Sequence, residues 1–290
     1  MNTPLDPVEL TRAMVRMDTR NPEAIELPCA QYLAERLETM GFHVHFEDFA
    51  EGRPNIIARI GNGAKAPLAF TGHMDTVPLG AAAWNHDPFG AEISGDRLYG
   101  RGASDMKSGL AAILAALSRF DTLSAATAPI VLVFTAAEES ACQGAAFLAE
   151  SRPGLLEPCG ALVVAEPTAN YPWLGHRGCL WFDARTHGKT AHGSMPEQGV
   201  NAIYKIARVV TKLEQYRFDT PPHPVLGMPS LNVGTIKGGV NVNSVPDLAR
   251  IQVDLRTTPE VDSAQLLNEL AELLGSDVEL TETVSAPCVY

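Results

Sequence analysis

From the amino terminus to Gly178, short apolar runs ending abruptly in polar residues alternate with amphipathic stretches. Asp6 and Pro7 open the first stretch as a cap residue and a first-turn proline, and Leu10, Met14 and Met17 share one helical face. "ELPCAQYLAERLETMG" predicts a second helix, stopped by Gly41. "FHVHFEDF" alternates as a strand, and "NIIARI" follows as another. "APLAFTGHMDTVP", "PIVLVFTAAEES" and "GALVVAEPT" each predict a short buried strand that runs into polar residues. "SGLAAILAAL" predicts an apolar, alanine-rich helix. Buried strands alternating with helices predict an α/β fold with a mostly parallel sheet covered by helices. In such sheets functional groups gather beyond the carboxyl ends of the strands. His73, Asp75, Glu138, Glu139 and Glu166 all fall at such ends.

Beyond Gly178 the pattern becomes strand, helix, strand, strand, helix, strand. The segments are "GCLWFDARTHGK", "NAIYKIARVVTKLEQY", "SLNVGTIKGG", "LARIQVDLRTTP", "VDSAQLLNELAELLG" and "DVELTETVS". That order is the split, ferredoxin-like arrangement and predicts a second, α+β domain over residues 178–285. The proline-rich "FDTPPHPVLGMPS" joins its halves.

The 290 residues are 46% hydrophobic and 19% charged, enough apolar material for one large domain or two smaller ones. A net charge of -12 without a basic block argues against nucleic acid as a partner. The five cysteines are odd in number and form no C-x-x-C pair, which favours a reducing cytoplasm over a disulfide framework. "MNTPLDPVEL" lacks the basic and apolar regions of a secretion signal, and no apolar run is long enough to span a bilayer.

The candidate chemistry lies in four stretches. In "GHMDTVP" His73 and Asp75 are two apart, so on an extended chain they share a face, suiting an imidazole metal ligand and a carboxylate that orients it. The same residues also suit a polar loop after a strand. "LYGRGASDMKSGLAA" is a glycine-rich turn opening a helix; it has neither phosphate-loop spacing, and Asp105 is either a helix cap or a carboxylate aimed above the sheet. In "TAAEES" Glu138 and Glu139 are either a solvated helix start or two groups with separate tasks. Glu166 ends another strand in "VVAEPT". A histidine and four or five carboxylates at several strand ends would repel one another unless cations held them, which points to a dinuclear metal site. His192, in "TAHGSMPEQGVNAI", reads from spacing alone as a loop histidine.

Taken in order, "GHMDTVP", "LYGRGASDMKSGLAA", "TAAEES", "VAEPT", "AHGSMPEQGVNAI" and "NVNSVPDLARIQVDLR" resemble the dinuclear zinc hydrolases typified by acetylornithine deacetylase, succinyl-diaminopimelate desuccinylase and glutamate carboxypeptidase. The resemblance implies a zinc-exopeptidase-like catalytic domain over residues 1–177 and an inserted lid and dimerisation domain over 178–285. It implies two Zn2+ ions, with Co2+ or Mn2+ as substitutes. His73 and Glu166 would bind one ion, Asp105 would bridge both, and Glu139 would bind the second. Glu138 would be the general acid/base and Asp75 the partner of His73. His192 would reach the active site of the other subunit of a homodimer, and Asn243 and Arg256 would contact substrate. The implied reaction is hydrolysis of an N-acyl amino acid or related small amide, with a dipeptidase or carboxypeptidase as the alternative. Members of that family continue past the small domain with a further histidine ligand, whereas no histidine follows His223 here. Residues 286–290 are thus expected to begin a return to a catalytic domain whose remainder is absent. The chain is expected to be a shortened form of an active enzyme, or else a fragment that binds metal or dimerises without turnover.

Overall fold

The computed structural model describes residues 4–22, 25–120, 123–125, 128–155 and 159–290. The chain divides into two compact units, Met1–Tyr171 and Pro172–Tyr290.

Unit 1 begins with α1 (Pro7–Val15) and α2 (Leu27–Thr39). The Asp6 side chain caps α1 by accepting from the Val8 amide at 2.8 Å. β1 (His43–Ala50), β2 (Arg53–Ile60) and β3 (Leu68–His73) follow. A hairpin, β4 (Glu92–Ser94) and β5 (Arg97–Tyr99), leads to α3 (Ser108–Leu117), β6 (Ile130–Thr135), α4 (Gln143–Ser151) and β7 (Ala161–Val164). The hydrophobic pattern does not announce the hairpin or α4. The hairpin strands have three residues each, and α4 buries only Gly144 and Leu148.

The five-stranded sheet has the order β1-β2-β6-β3-β7. It is mixed: β1–β2 and β2–β6 are antiparallel, and β6–β3 and β3–β7 are parallel. The reason is connectivity. A two-residue turn between β1 and β2 enforces an antiparallel pair, whereas α3 and α4 provide the crossovers that parallel neighbours need. One face carries the main core, in which Leu10, Met14, Leu33, Leu37, Ile56, Leu110, Leu114 and Phe134 are buried together. On the other face Ala69, Val131, Val133 and Leu148 form a smaller cluster beside an open cavity of about 430 Å³.

The strand expected to be buried in "GALVVAEPT" is not. All four residues of β7 are exposed, because it is the edge strand and, among the described residues, nothing covers its outer side.

Unit 2 contains β8 (Gly178–His187), α5 (Ala202–Gln215), β9 (Ser230–Gly238), β10 (Leu248–Thr257), α6 (Ser263–Leu274) and β11 (Val278–Ala286). Its sheet order, β11-β8-β10-β9, is antiparallel throughout and is that of the split arrangement. Leu180, Phe182, Ile206, Val209, Ile251, Leu255, Leu266 and Leu270 fill its core between sheet and helices. Asn201 and Asp262 cap α5 and α6 through their side chains. Residues 286–290, expected to begin a return, lie in unit 2; Val289 exchanges two main-chain hydrogen bonds with His176, at 2.8 and 3.1 Å.

Gly109 lets α3 approach the end of β7. A Cβ there would lie 2.2 Å from the carbonyl oxygen of Ala165, immediately before Glu166. Gly109→Ala should destabilise the chain by about 1–3 kcal/mol in urea unfolding, because the clash is with main chain. An unchanged midpoint would show that the contact relaxes without cost.

Candidate metal centre

Four segments of unit 1 bring acidic side chains around one imidazole. β3 ends on His73, whose ring is buried. Met106 packs beneath this end and fixes the loop that carries Asp105. A Cβ on Gly72 would lie 2.4 Å from the Met106 Cε, so a larger residue there would push that methyl aside. Asp105 has extended backbone angles (φ -118°, ψ 99°), and α3 starts three residues later without a side-chain cap. Asp105 is therefore not a helix cap; its carboxylate is turned to the histidine. β6 ends in a turn at Ala137, with left-handed φ of 55°, followed by a single tight turn over Glu138–Ser140. Glu166 follows the end of β7.

His73 Nε2 lies 3.1 Å from Asp105 Oδ1, 3.5 Å from Glu166 Oε1 and 3.9 Å from Glu138 Oε2. One donor atom each from His73, Asp105 and Glu139 falls within 4.8 Å of the others. On the other side of the ring, His73 Nδ1 lies 3.0 Å from the Asp75 carbonyl oxygen and 3.5 Å from its carboxylate. Asp75 is fully buried, and its two oxygens accept from the amides of Glu138 (3.0 Å) and Glu139 (3.1 Å). One carboxylate thus ties the end of β3 to the turn after β6.

The electrostatics suit a cation. Burial is the largest influence on His73 and opposes its charged form. Hydrogen bonds with Asp105 and Asp75, and the charges of Asp75 and Glu166, outweigh it and push the pKa up to about 11. Burial, then the charge of Asp105 and of the other carboxylates, raises Glu139 to about 7. Burial likewise raises Glu166 to about 7, with Asp105 and Glu138 adding and His73 opposing. The hydrogen bond from His73 holds Asp105 below its ordinary value. Crowded carboxylates that keep their protons close to neutrality are relieved by a divalent cation, and a mixed imidazole and carboxylate donor set fits zinc-like ions.

Asn21, Glu26, Arg53 and Asn55 escaped sequence reasoning. They lie far from the acidic motifs in sequence, in "TRNPEAIE" and "GRPNII", without a motif of their own. Asn55 Oδ1 accepts from the amide of Ala136 at 3.0 Å, and Glu26 Oε1 from that of Ala137 at 3.1 Å. Four successive amides, Ala136 to Glu139, are therefore each held by a buried side chain.

The remaining predicted site residues are in unit 2. His192 and Asn243 are brought together: His192 pairs with Ser244 as a bridge, and the Gly193 amide donates to the Asn243 carbonyl at 2.8 Å. His192 is exposed, and its Nδ1 lies 2.8 Å from Ser194 Oγ. Arg256 is at the opposite end of β10 from that loop, with Nε 3.0 and 3.2 Å from the two oxygens of Asp254.

Comparisons with known proteins cover both units. Residues 55–170 match the family described as peptidase family M28, and residues 174–281 match a peptidase dimerisation domain. An acetylornithine deacetylase of Proteus mirabilis is 34% identical over 251 residues, 84% of this chain and 63% of that one. A probable succinyl-diaminopimelate desuccinylase of Staphylococcus epidermidis is 31% identical over 305 residues, 94% of this chain and 73% of that one. The chain thus spans about two thirds to three quarters of such relatives. Among solved structures, an M20 family metallo-carboxypeptidase from Sulfolobus solfataricus has a TM-score of 0.78 at 20% identity, covering 100% of this chain and 79% of that one. A dinuclear metal-binding peptidase from the M20 family of Bacillus subtilis has a TM-score of 0.60 at 16% identity, covering 98% and 74%.

A pH dependence follows from the raised groups. Glu139 and Glu166 move from 4.5 to about 7, so between those values the folded state holds protons that the unfolded state has lost. Stability of the metal-free chain therefore falls as pH rises through that window. His73, moved from 6.5 to about 11, extends the loss to higher pH. A cation takes the place of those protons. Zinc should therefore raise the melting temperature more at about pH 8 than at about pH 5.5, read by thermal melts with and without chelator. An equal shift at both values would contradict this account.

Proposed function

The chain belongs to the M20 metallopeptidase family, and we propose that it hydrolyses the amide bond of an N-acyl amino acid or related small amide. The observation that carries this reading is the convergence of His73, Asp105 and Glu139, with Glu138 and Glu166, beyond the strand ends. The acyl amino acid class is favoured over a dipeptide by the names of relatives above 30% identity; the peptidases among the solved structures share less sequence.

His73 and Glu166 would hold one metal ion, Glu139 the second, and Asp105 would lie between them. Zinc is the ion best matched to these donors, with cobalt or manganese as substitutes. Bound zinc supplies a Lewis acid for the scissile carbonyl and a water of lowered pKa. Glu138 accepts the proton released as water adds to the carbonyl carbon. It returns that proton to the nitrogen as the C–N bond breaks, giving a carboxylate and a free amine. Asp75 holds the main chain of both glutamates and faces the ring of His73, so base and ligands keep a fixed relation. In unit 2, His192 is proposed to stabilise the developing oxyanion in the site of a second subunit. Asn243 and Arg256 are proposed to contact the substrate, the planar guanidinium suiting a carboxylate.

A homodimer through unit 2 belongs to the same proposal, supported by the match to a peptidase dimerisation domain. No helix among the described residues is long and apolar enough to cross a membrane. A cytoplasmic place is supported by an odd number of cysteines with no C-x-x-C pair.

Zinc should bind at close to two ions per chain by elemental analysis, and chelation should abolish turnover of N-acetyl or N-succinyl amino acids. Glu138→Gln should retain the metal and lose activity about 10²- to 10⁴-fold. Turnover no greater than that of Glu138→Gln would sink the enzyme reading for this chain and leave a metal-binding or dimerising fragment. A monomer by light scattering would overturn the dimer.

A further inference from the structure

The turn carrying Glu138 and Glu139 hangs from a buried polar chain that ends on a single cation. Arg53, the first residue of β2, donates from Nε to Glu26 Oε2 at 2.9 Å and from Nη2 to Glu26 Oε1 at 2.5 Å. The same Nη2 donates to Asn21 Oδ1. The two branches then rejoin at one turn. Glu26 Oε1 accepts from the Ala137 amide at 3.1 Å. Asn21 Nδ2 donates to Asp75 Oδ2, and Asp75 accepts from Glu138 and Glu139. Glu26 and Asp75 are fully buried, and Asn21 nearly so.

We propose that Arg53 is a positioning residue: by holding Glu26 and Asn21 at once, it fixes the main chain of Ala137–Glu139 and so aims both glutamates. Three features support this. First, a buried carboxylate needs a partner, and the only cation whose contacts reach Glu26 among the described hydrogen bonds is Arg53. Second, Asn21 is oriented by Arg53: with its carbonyl oxygen turned to the guanidinium, its amide nitrogen must face Asp75. Without Arg53 the amide can flip and set its oxygen against a carboxylate. Third, Ala137 has positive φ, so the turn is not held by its own backbone preference. The guanidinium also lies over the Phe49 ring, 5.3 Å from its centroid, which limits its movement. Lysine cannot replace it, because one ammonium cannot present a fork to Glu26 while reaching Asn21.

The catalytic meaning of this clamp rests on the hydrolase reading, but its main test does not. Residue-resolved amide hydrogen exchange of the metal-free 290-residue chain reads the turn directly. In Arg53→Met, the amides of Ala137, Glu138 and Glu139 should exchange at least about tenfold faster. Ala136, held by Asn55, and the β6 amides should stay within about twofold. Arg53→Lys, the milder variant should Arg53→Met fail to fold, should restore protection on one branch only, Ala137 or the glutamate pair. Unchanged exchange at the turn, or equal acceleration along β6 and the turn, would overturn the proposal. Both variants should also bind zinc about tenfold more weakly and lower kcat with KM within about twofold. Metal affinity and kcat equal to wild type would overturn the aiming role. A wild-type chain that neither binds zinc nor hydrolyses acyl amino acids would defeat the hydrolase reading, and the exchange experiment would still decide on Arg53.

Discussion

The site depends on one buried carboxylate. Asp75 receives the amides of Glu138 and Glu139 and faces the ring of His73, so the ends of β3 and β6 share an anchor. These strands are parallel neighbours, and their carboxyl ends lie side by side. Without a link, the residues beyond them would be two independent loops. A buried charge with two charge-assisted hydrogen bonds converts them into one rigid element. The cost of burying that charge is offset by Asn21, and behind it Arg53 and Glu26, at the base of the same turn. Stability and chemistry are therefore served by the same groups, which explains why so many polar side chains lie under an apolar sheet end.

Above this anchor the electrostatics run in the opposite direction. Asp105, Glu138, Glu139 and Glu166 crowd one imidazole, and the protein supplies them with little positive charge. Glu139 and Glu166 respond by holding protons up to about 7. An arrangement that is costly in the metal-free protein is one that gains most from a cation. Lower down, each carboxylate meets an amide or a guanidinium; higher up, the carboxylates meet mainly one another. The boundary between these regions is His73, with one nitrogen toward Asp75 and the other toward Asp105. This is the physical basis for membership of a metallohydrolase family being visible in the geometry of the first unit.

Much of this was legible in sequence. Helices α1, α2, α5 and α6 follow amphipathic periods, and the capping residue Asp6 marks the start of the first. The acidic residues at strand ends were recognisable because apolar runs stop on them. Their order along the chain carried the family resemblance, and the comparisons bear that family out. Other features were hidden for specific reasons. Asp105 sits in a segment whose composition equally suits a helix cap, and only its extended backbone turns it to the histidine. The β4–β5 hairpin is too short for a period. Arg53 and Glu26 look like ordinary surface charges, since a local pattern cannot show that two residues 27 apart meet beneath a turn.

The amino-acid sequence specified the longer strands and helices, because burial periodicity is a local property, but not the β4–β5 hairpin or α4. It also determined which donor types stand at the strand ends. Tertiary structure alone decided the rest, because strand order and side-chain contact are non-local. It placed "GALVVAEPT" at an exposed sheet edge although its composition suits a buried strand. It also showed Asp75 anchoring the two glutamates as well as facing His73, because both of their amides converge on its oxygens.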